Sequence, residues 1–240
     1  MSAPAERPAV LITGAAGTLG TALVSAFTSA HWTVFVGVHR TSLPAPPPGC
    51  IPIPLEVSNT AAWTRAAETI GDQVPFLDVL IHNAGISEDS LLTSTPVDAW
   101  DRTMSVNLRP AAVGTRELLP RLRCPHGSHV VFVSSLASRA GGSGQSVYAA
   151  SKAALIGLAQ SLARELAPEG IRVNTVFPGV LPGPMTDALS PLARERLIAA
   201  NLLHTLNDPI EVARFIAFLV TTRNISGQVF HLDSRVSAWA

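Results

Sequence analysis

The stretch Ala9-Val10-Leu11-Ile12-Thr13-Gly14-Ala15-Ala16-Gly17-Thr18-Leu19-Gly20 decides the fold. A short apolar run of strand type enters a glycine-punctuated turn, and an apolar-periodic segment, Thr18–Ser29, follows at once. A strand delivered straight into a helix N-terminus opens a βαβ unit. Backbone N–H groups and the helix dipole favour an anion at such a terminus, and glycine lets it approach closely. Glycines also serve tight turns for purely steric reasons, so this cluster takes its meaning from the strand before it and the helix after it.

The same alternation continues along the chain. Further strands are expected at Thr33–Val38, Ile51–Leu55, Leu77–His82, His129–Ser134, Arg172–Phe177 and Gln228–Leu232, which with Ala9–Thr13 makes seven. Helical patterns fit Thr60–Ile70, Pro96–Met104, Val106–Leu122, Ser146–Leu166, Ser190–Leu203 and Pro209–Thr221. Strands rich in Val and Ile with helices between them predict an α/β, Rossmann-like, doubly wound parallel sheet with helices on both faces. A length of 240 residues suits one domain spanning 1–240. The run Leu43–Gly49 (LPAPPPG) is too short to separate domains and is expected to be a stiff surface loop.

Hydrophobic residues make up 47% of the chain and charged residues 14%, so much apolar surface can be buried and some of the weakly charged exterior is expected to meet another subunit. Lys plus Arg and Asp plus Glu number 17 each, which leaves no basic field for nucleic acid. No apolar run approaches membrane-spanning length and no signal-type segment precedes the first strand, so a cytoplasmic protein is expected. Cys50 and Cys124 form no Cys-x-x-Cys pair and are expected to be structural thiols. Cys124-x-His126-x-x-His129 lies in a Pro- and Gly-containing loop with no matched fourth ligand, so no metal site is expected. No Gly-x-Ser-x-Gly elbow supports a hydrolase, and Gly142-Ser143-Gly144 is expected to be a flexible loop.

Several further pieces occur together and in order: Leu55-Glu56-Val57-Ser58, His82-Asn83-Ala84-Gly85, Val106-Asn107, Val133-Ser134-Ser135, Tyr148-Ala149-Ala150-Ser151-Lys152, Arg172-Val173-Asn174 and Pro178-Gly179. With the first glycine turn they resemble the compact, single-domain branch of the short-chain dehydrogenase/reductase family over nearly the whole chain. Three departures stand out. Gly14, Gly17 and Gly20 give Gly-x-x-Gly-x-x-Gly, the spacing of the family's longer branch; Glu56 replaces the Asp usual beside the adenine; and His82 replaces the first Asn of Asn-Asn-Ala-Gly. The resemblance implies a dinucleotide held by Gly14, Gly17, Thr18, Leu19, Gly20, Arg40, Glu56, Val57, Asn83, Ala84, Gly85, Tyr148, Lys152, Pro178 and Gly179.

Tyr148 and Lys152 are spaced i,i+4 at the head of a helix and so share one face. A nearby ammonium favours phenolate and brings a phenol of pKa about 10 towards working pH. The pair alone suits an ordinary amphipathic helix equally well. This is the chain's only Tyr, however, and it falls in the full Tyr-Ala-Ala-Ser-Lys context. The resemblance adds that Lys152 also holds the nicotinamide ribose. Ser135 stands 148 − 135 = 13 positions before Tyr148, the family's spacing, and its hydroxyl can stabilise charge on a substrate oxygen. Ser134 competes, but adjacent strand residues point to opposite faces and the spacing favours Ser135. Asn107 resembles the family's helix-bending Asn that anchors a water near the lysine; Pro110, three residues on, would distort a helix there in any case.

No carboxylate stands in Gly37-Val38-His39-Arg40-Thr41 after the second strand, where Asp or Glu would favour NAD, so NADP(H) with Arg40 on its 2′-phosphate is expected. The stretches 82–92 and 144–148, with Gln145 three before the tyrosine and placed to orient a substrate, resemble 3-oxoacyl-acyl-carrier-protein reductases. The implied reaction is reduction of a 3-oxoacyl thioester, on acyl-carrier protein or CoA, with Pro182–Leu206 as a mobile lid. Sugars, polyols, steroids and pteridines are rival substrates, and a cofactor-binding regulatory protein without turnover is the rival class. Arg121 and Arg123 either meet an acidic carrier or simply favour a helix C-terminus. Leu155, Leu158, Leu162 and Leu166 with small residues on their flanks suit a helix packed on the sheet and on a neighbour. The resemblance implies a homotetramer or homodimer.

Overall fold

A strand hydrogen-bonded on both sides in a parallel sheet has helices over both faces, so its side chains are apolar throughout. β1 (Ala9–Ile12) meets that condition, with all four residues buried. The computed structural model describes residues 7–39 and 47–235. After β1 come α1 (Thr18–Ser29), β2 (Thr33–Val38), β3 (Cys50–Pro54), α2 (Thr60–Gln73), β4 (Val79–His82), α3 (Val97–Asn107) and α4 (Arg109–Leu122). They are followed by β5 (Ser128–Val133), α5 (Ala137–Ala140), α6 (Ser146–Leu166), β6 (Ile171–Phe177), α7 (Pro184–Asp187), α8 (Pro191–Ala199), α9 (Pro209–Leu219) and β7 (Val229–His231).

The seven strands form one sheet in the order β3-β2-β1-β4-β5-β6-β7, parallel at every junction. This is the Rossmann-like, doubly wound architecture that the alternation predicts. Alternate residues of β1 feed two cores. Ala9 and Leu11 face Trp63 of α2, Leu118 of α4 and Leu155 of α6, whereas Val10 and Ile12 face Leu23 and Phe27 of α1 and Ile216 of α9. Register continues one layer across the sheet, from Phe35 through Leu11, Leu80 and Val130 to Val173.

Two expected helices end differently. The segment Val106–Leu122 is not one helix: α3 stops at Asn107 and α4 begins at Arg109. Pro110 has no N–H to donate to the Val106 carbonyl and its ring crowds that turn, so helix α3 cannot run through it. Pro110 instead occupies the first turn of α4, where a missing donor costs nothing. The segment expected as Ser190–Leu203 stops at Ala199, with Ser190 as its N-cap accepting from Ala193 N at 3.2 Å. Arg40, Thr41 and residues 43–46 of the Pro-rich loop lie outside the described residues.

Candidate active site

Strand order positions the site. The sheet grows outward from β1 in one direction through β2 and in the other through β4, and a crevice opens above the carboxyl ends of such a pair. Thr13, just past β1, closes its floor. The Thr13 hydroxyl donates to the Ile81 carbonyl at 3.2 Å and accepts from the backbone N–H groups of Asn83, at 2.9 Å, and Ala84, at 3.0 Å. Asn83 Nδ2 answers by donating to the Thr13 carbonyl at 3.1 Å and the Gly14 carbonyl at 3.0 Å.

The glycine turn fits a dinucleotide pyrophosphate. Gly14 has φ +62°, and a Cβ there would stand 2.8 Å from Ala84 Cα. A Cβ on Gly20 would stand 2.2 Å from the Gly14 carbonyl oxygen, whereas one on Gly17 would meet that oxygen at an ordinary 3.4 Å. The steric demand of the unusual Gly-x-x-Gly-x-x-Gly spacing therefore falls on Gly14 and Gly20. Gly17 is the N-cap of α1 and offers no side-chain oxygen to the first-turn amides, which include those of Thr18 and Leu19. An uncapped N-terminus beside a cradle that side chains would fill is suited to an anion.

Around this turn, Pro178 and Gly179 leave β6, with Gly179 at φ +77°. Asn207 Nδ2 donates to the Pro178 carbonyl at 2.9 Å and also to that of Leu232. Val57 accepts from Trp63 Nε1 through its carbonyl at 2.9 Å. Glu56 holds a partner that the sequence did not reveal: its Oε2 lies 2.6 Å from His39 Nε2, while Oε1 accepts from the Ser58 hydroxyl at 2.9 Å. Pairing of β2 with β3 thus brings a carboxylate to the end of β2, although none stands at 37–41.

The candidate reacting groups sit one strand further on. The Ser134 hydroxyl donates to the Lys152 carbonyl at 2.8 Å and is consumed in fixing α6 to β5. The Ser135 hydroxyl instead accepts from Ala137 N at 3.2 Å and lies near enough to the Tyr148 phenol to lower its pKa. Burial pushes the Tyr148 phenol above its ordinary value, the Ser135 hydroxyl pulls it back, and the charge of Asp89 raises it further. Lys152 is 4% exposed and its Nζ donates to the Val133 carbonyl at 2.8 Å. Burial lowers its pKa to about 8. Nζ stands 5.9 Å from the centre of the Tyr148 ring. Among the chain's own groups, burial thus outweighs the expected effect of the lysine on the phenol.

Asn107 is the last residue of α3, and its side chain bridges two segments. Oδ1 accepts from Ile86 N at 2.8 Å, and Nδ2 donates to the Ile86 carbonyl at 2.9 Å and to Ser151 Oγ at 3.0 Å. Gly85 makes room for this: a Cβ there would stand 3.2 Å from Lys152 Nζ and 3.3 Å from Asn107 Oδ1. A cavity of about 10 Å³, lined in part by Thr13, His82, Asn107 and Lys152, lies behind the ammonium. His82 is buried and held neutral, its pKa pushed down to about 3, with Nε2 3.1 Å from the Thr115 hydroxyl. Gln145 Nε2 donates to Asp89 Oδ2 at 2.9 Å. The sequence reading missed Asp89, although it lies within the stretch 82–92 that carried the resemblance. Arg121 and Arg123 close α4 at the opposite, amino-terminal edge of the sheet, and Arg123 is paired with Glu169.

A bare helix terminus at the strand-order reversal, facing a buried ammonium and a phenol beside a hydroxyl, is the arrangement of an oxidoreductase that works with a nicotinamide dinucleotide. Residues 8–193 match the short chain dehydrogenase family, and the chain belongs to it. It is thus an NAD(P)-dependent oxidoreductase of that type. It is 34% identical to the 3-oxoacyl-[acyl-carrier-protein] reductase FabG of Thermotoga maritima over 95% of this chain and 97% of that one. It is 37% identical to a cyclopentanol dehydrogenase of Comamonas testosteroni over 70% of this chain and 68% of that one. Among solved structures it resembles one described as the Pseudomonas aeruginosa RhlG/NADP active-site complex, with a TM-score of 0.87, 30% identity and 95% of each chain covered.

Proposed function

We propose that the protein is an NADPH-dependent reductase of 3-oxoacyl thioesters, with Tyr148 as proton donor, Ser135 as the hydrogen-bond donor to the substrate oxygen, and Lys152 as the ammonium that serves both tyrosine and ribose. The observation that carries this reading is the convergence of Ser135 on the Tyr148 oxygen, with Lys152 one helical turn away and the glycine turn across the crevice. A bound dihydronicotinamide supplies the hydride. The chain's residues handle the oxygen: as negative charge grows on it, the Ser135 hydroxyl stabilises it and Tyr148 gives up its phenolic proton, so the carbonyl becomes an alcohol and the phenol a phenolate. The Lys152 ammonium stabilises that phenolate by its charge, and a proton taken up from solvent restores the phenol. Asn107 fixes the loop at Ile86 beside the ammonium.

For the substrate, the reading rests on the 34% identity to a 3-oxoacyl-[acyl-carrier-protein] reductase over 95% of the chain and on Gln145, anchored by Asp89 beside Tyr148. Gln145 orients the thioester side, and residues 182–206, which carry α7 and α8, cover it. Their root rests on the glycine turn, where a Cβ on Gly183 would stand 2.3 Å from Thr18 Oγ1. Preference for NADPH rests on Arg40 and on the likeness to the Pseudomonas aeruginosa protein described as an NADP complex. Exposed Val97, Trp100 and Phe218 suit a homodimer or homotetramer acting in the cytoplasm. No helix among the described residues is long and apolar enough to cross a membrane.

The test is a panel of acetoacetyl-CoA and a longer 3-oxoacyl carrier substrate beside a quinone, a sugar ketone and dihydrobiopterin, read by NADPH absorbance. The thioesters should give kcat/KM at least about tenfold above the others, equivalent to about 1.4 kcal/mol of transition-state preference. Equal turnover of unrelated carbonyls overturns the substrate assignment and leaves the oxidoreductase intact.

A further inference from the structure

Asp78 leads into β4, and Cys124 and His126 occupy the turn between α4 and β5. Parallel pairing of β4 with β5 sets the two segments side by side, with His129 N donating to the Asp78 carbonyl at 2.8 Å. This is the amino-terminal edge of the sheet, at the other end of the strands from Tyr148. Here His126 Nε2 lies 2.6 Å from Asp78 Oδ1. Cys124 Sγ lies 3.2 Å from His126 Nδ1, 3.0 Å from its Nε2 and 3.9 Å from Asp78 Oδ1. His129, the third member of the sequence pattern, turns away to Arg172, whose Nε donates to His129 Nε2 at 2.6 Å.

We propose that Asp78, Cys124 and His126 form a binding site for a zinc-like divalent cation, with a fourth coordination position open to solvent. One oxygen, one sulfur and one imidazole nitrogen make a donor set that suits zinc better than the oxygen-seeking calcium or magnesium. A tetrahedral ion with bonds of about 2.0–2.3 Å separates its ligand atoms by roughly 3.3–3.8 Å. The 3.9 Å from Cys124 Sγ to Asp78 Oδ1 is close to that range, while the 3.0 Å from Sγ to His126 Nε2 and the 2.6 Å from His126 Nε2 to Asp78 Oδ1 must both widen, and one outward movement of the His126 ring lengthens both. The His126 side chain is 71% exposed and free of packing on its outer side, so its ring can turn outward to admit the ion.

The remaining ligands are held in place from behind. Asp78 Oδ2 accepts from Ala9 N at 2.7 Å, which aims Oδ1 at the turn, the kind of outer contact that orients a metal-binding carboxylate. Gly127 N donates to the Cys124 carbonyl at 2.8 Å, and Gly127 itself stands at φ +84°, which fixes the turn around Cys124. Cys124 is 4% exposed, so an ion reaches its sulfur from the His126 side. Binding breaks the S–H bond, forms a sulfur–metal bond and releases the proton to solvent; no electron is transferred. The ion fastens the start of β4 to the α4–β5 turn, away from the reacting groups.

Cobalt(II) titration of the tag-free, metal-stripped protein tests this. Equimolar cobalt should produce a thiolate-to-cobalt charge-transfer absorption that zinc displaces. That absorption should vanish in Cys124→Ser, and His126→Ala should weaken cobalt affinity about tenfold or more. Carbonyl reduction by His126→Ala should match the wild type. Absence of the band, or its survival in Cys124→Ser, overturns the proposal. If Cys124→Ser does not fold, His126→Ala decides, since its exposed side chain does not support the core, and wild-type cobalt affinity in that variant overturns the site.

Discussion

Lys152 Nζ and the Val133 carbonyl lie 2.8 Å apart, so the charge on α6 is anchored to the last residue of β5 inside the protein. Burial lowers the Lys152 pKa from 10.5 to about 8. The folded chain therefore binds fewer protons than the unfolded chain between those values, and stability rises with pH across that window. Lys152→Met should be more stable than the wild type at pH 7 by about 2–3 kcal/mol, after allowing about 1 kcal/mol for the lost hydrogen bond. The gap should close as pH climbs from about 8 to 10.5. Denaturant unfolding of both proteins at pH 7 and pH 10 measures it; a gap that does not change with pH would show that the ammonium is not strained by burial.

Replacement of Tyr148 by Phe removes the ionisable oxygen and leaves the ring. Turnover should fall about 10²- to 10⁴-fold, while cofactor affinity stays within about twofold of the wild type. Steady-state rates with cofactor binding by fluorescence separate the two effects. Near wild-type kcat would remove Tyr148 from the role of acid.

Asp89 acts on the site in two ways, through the Gln145 amide and through its charge, which raises the Tyr148 pKa. On the proposed role of Tyr148 as proton donor, kcat/KM declines as pH rises through its pKa. Asp89→Asn deletes the negative charge and should move that decline to lower pH. Gln145→Ala should raise KM for a thioester substrate and leave the pH profile in place. Superimposable profiles for wild type and Asp89→Asn would dismiss the electrostatic role.

On the proposed preference for NADPH, Arg40 and Glu56 have opposite effects on cofactor choice. Arg40→Ala should reduce kcat/KM with NADPH about 10- to 100-fold, the loss expected for a charge-assisted contact, and leave NADH turnover nearly unchanged. Glu56→Gln releases His39, which its carboxylate holds at 2.6 Å, and should improve NADPH relative to NADH. Equal kcat/KM for both cofactors, insensitive to Arg40→Ala, would refute the preference.

What the sequence displays well is local. Gly14 and Gly20 announce the turn because steric need and position coincide in one short stretch, and the apolar runs of β1, β4 and β5 announce a sheet covered on both faces. The preference for Ser135 over Ser134 rests on spacing, and in the structure the Ser134 hydroxyl is committed to the Lys152 carbonyl. What it hides is pairing at a distance. Gln145 and Asp89 are 56 positions apart, and Cys124 and Asp78 are 46 apart. Only the parallel register and the loops above it bring them together. Glu56 reaches His39 for the same reason, across β2 and β3. The break at Leu108 was foreshadowed by Pro110, but the apolar period on either side runs smoothly enough to read as one helix.

The Thr13 hydroxyl, which receives two amides from the segment after β4, has a kinetic meaning. It staples the floor of the crevice in place, so strands β1 and β4 need not part or close to receive a dinucleotide. On the proposal that residues 182–206 cover the substrate, any ordering upon association falls to them, and amide exchange in β1 and β4 should be equally slow with and without cofactor. Encounter with the pyrophosphate half then resembles docking onto a rigid shelf, free of the population penalty carried by a protein whose competent form is rare.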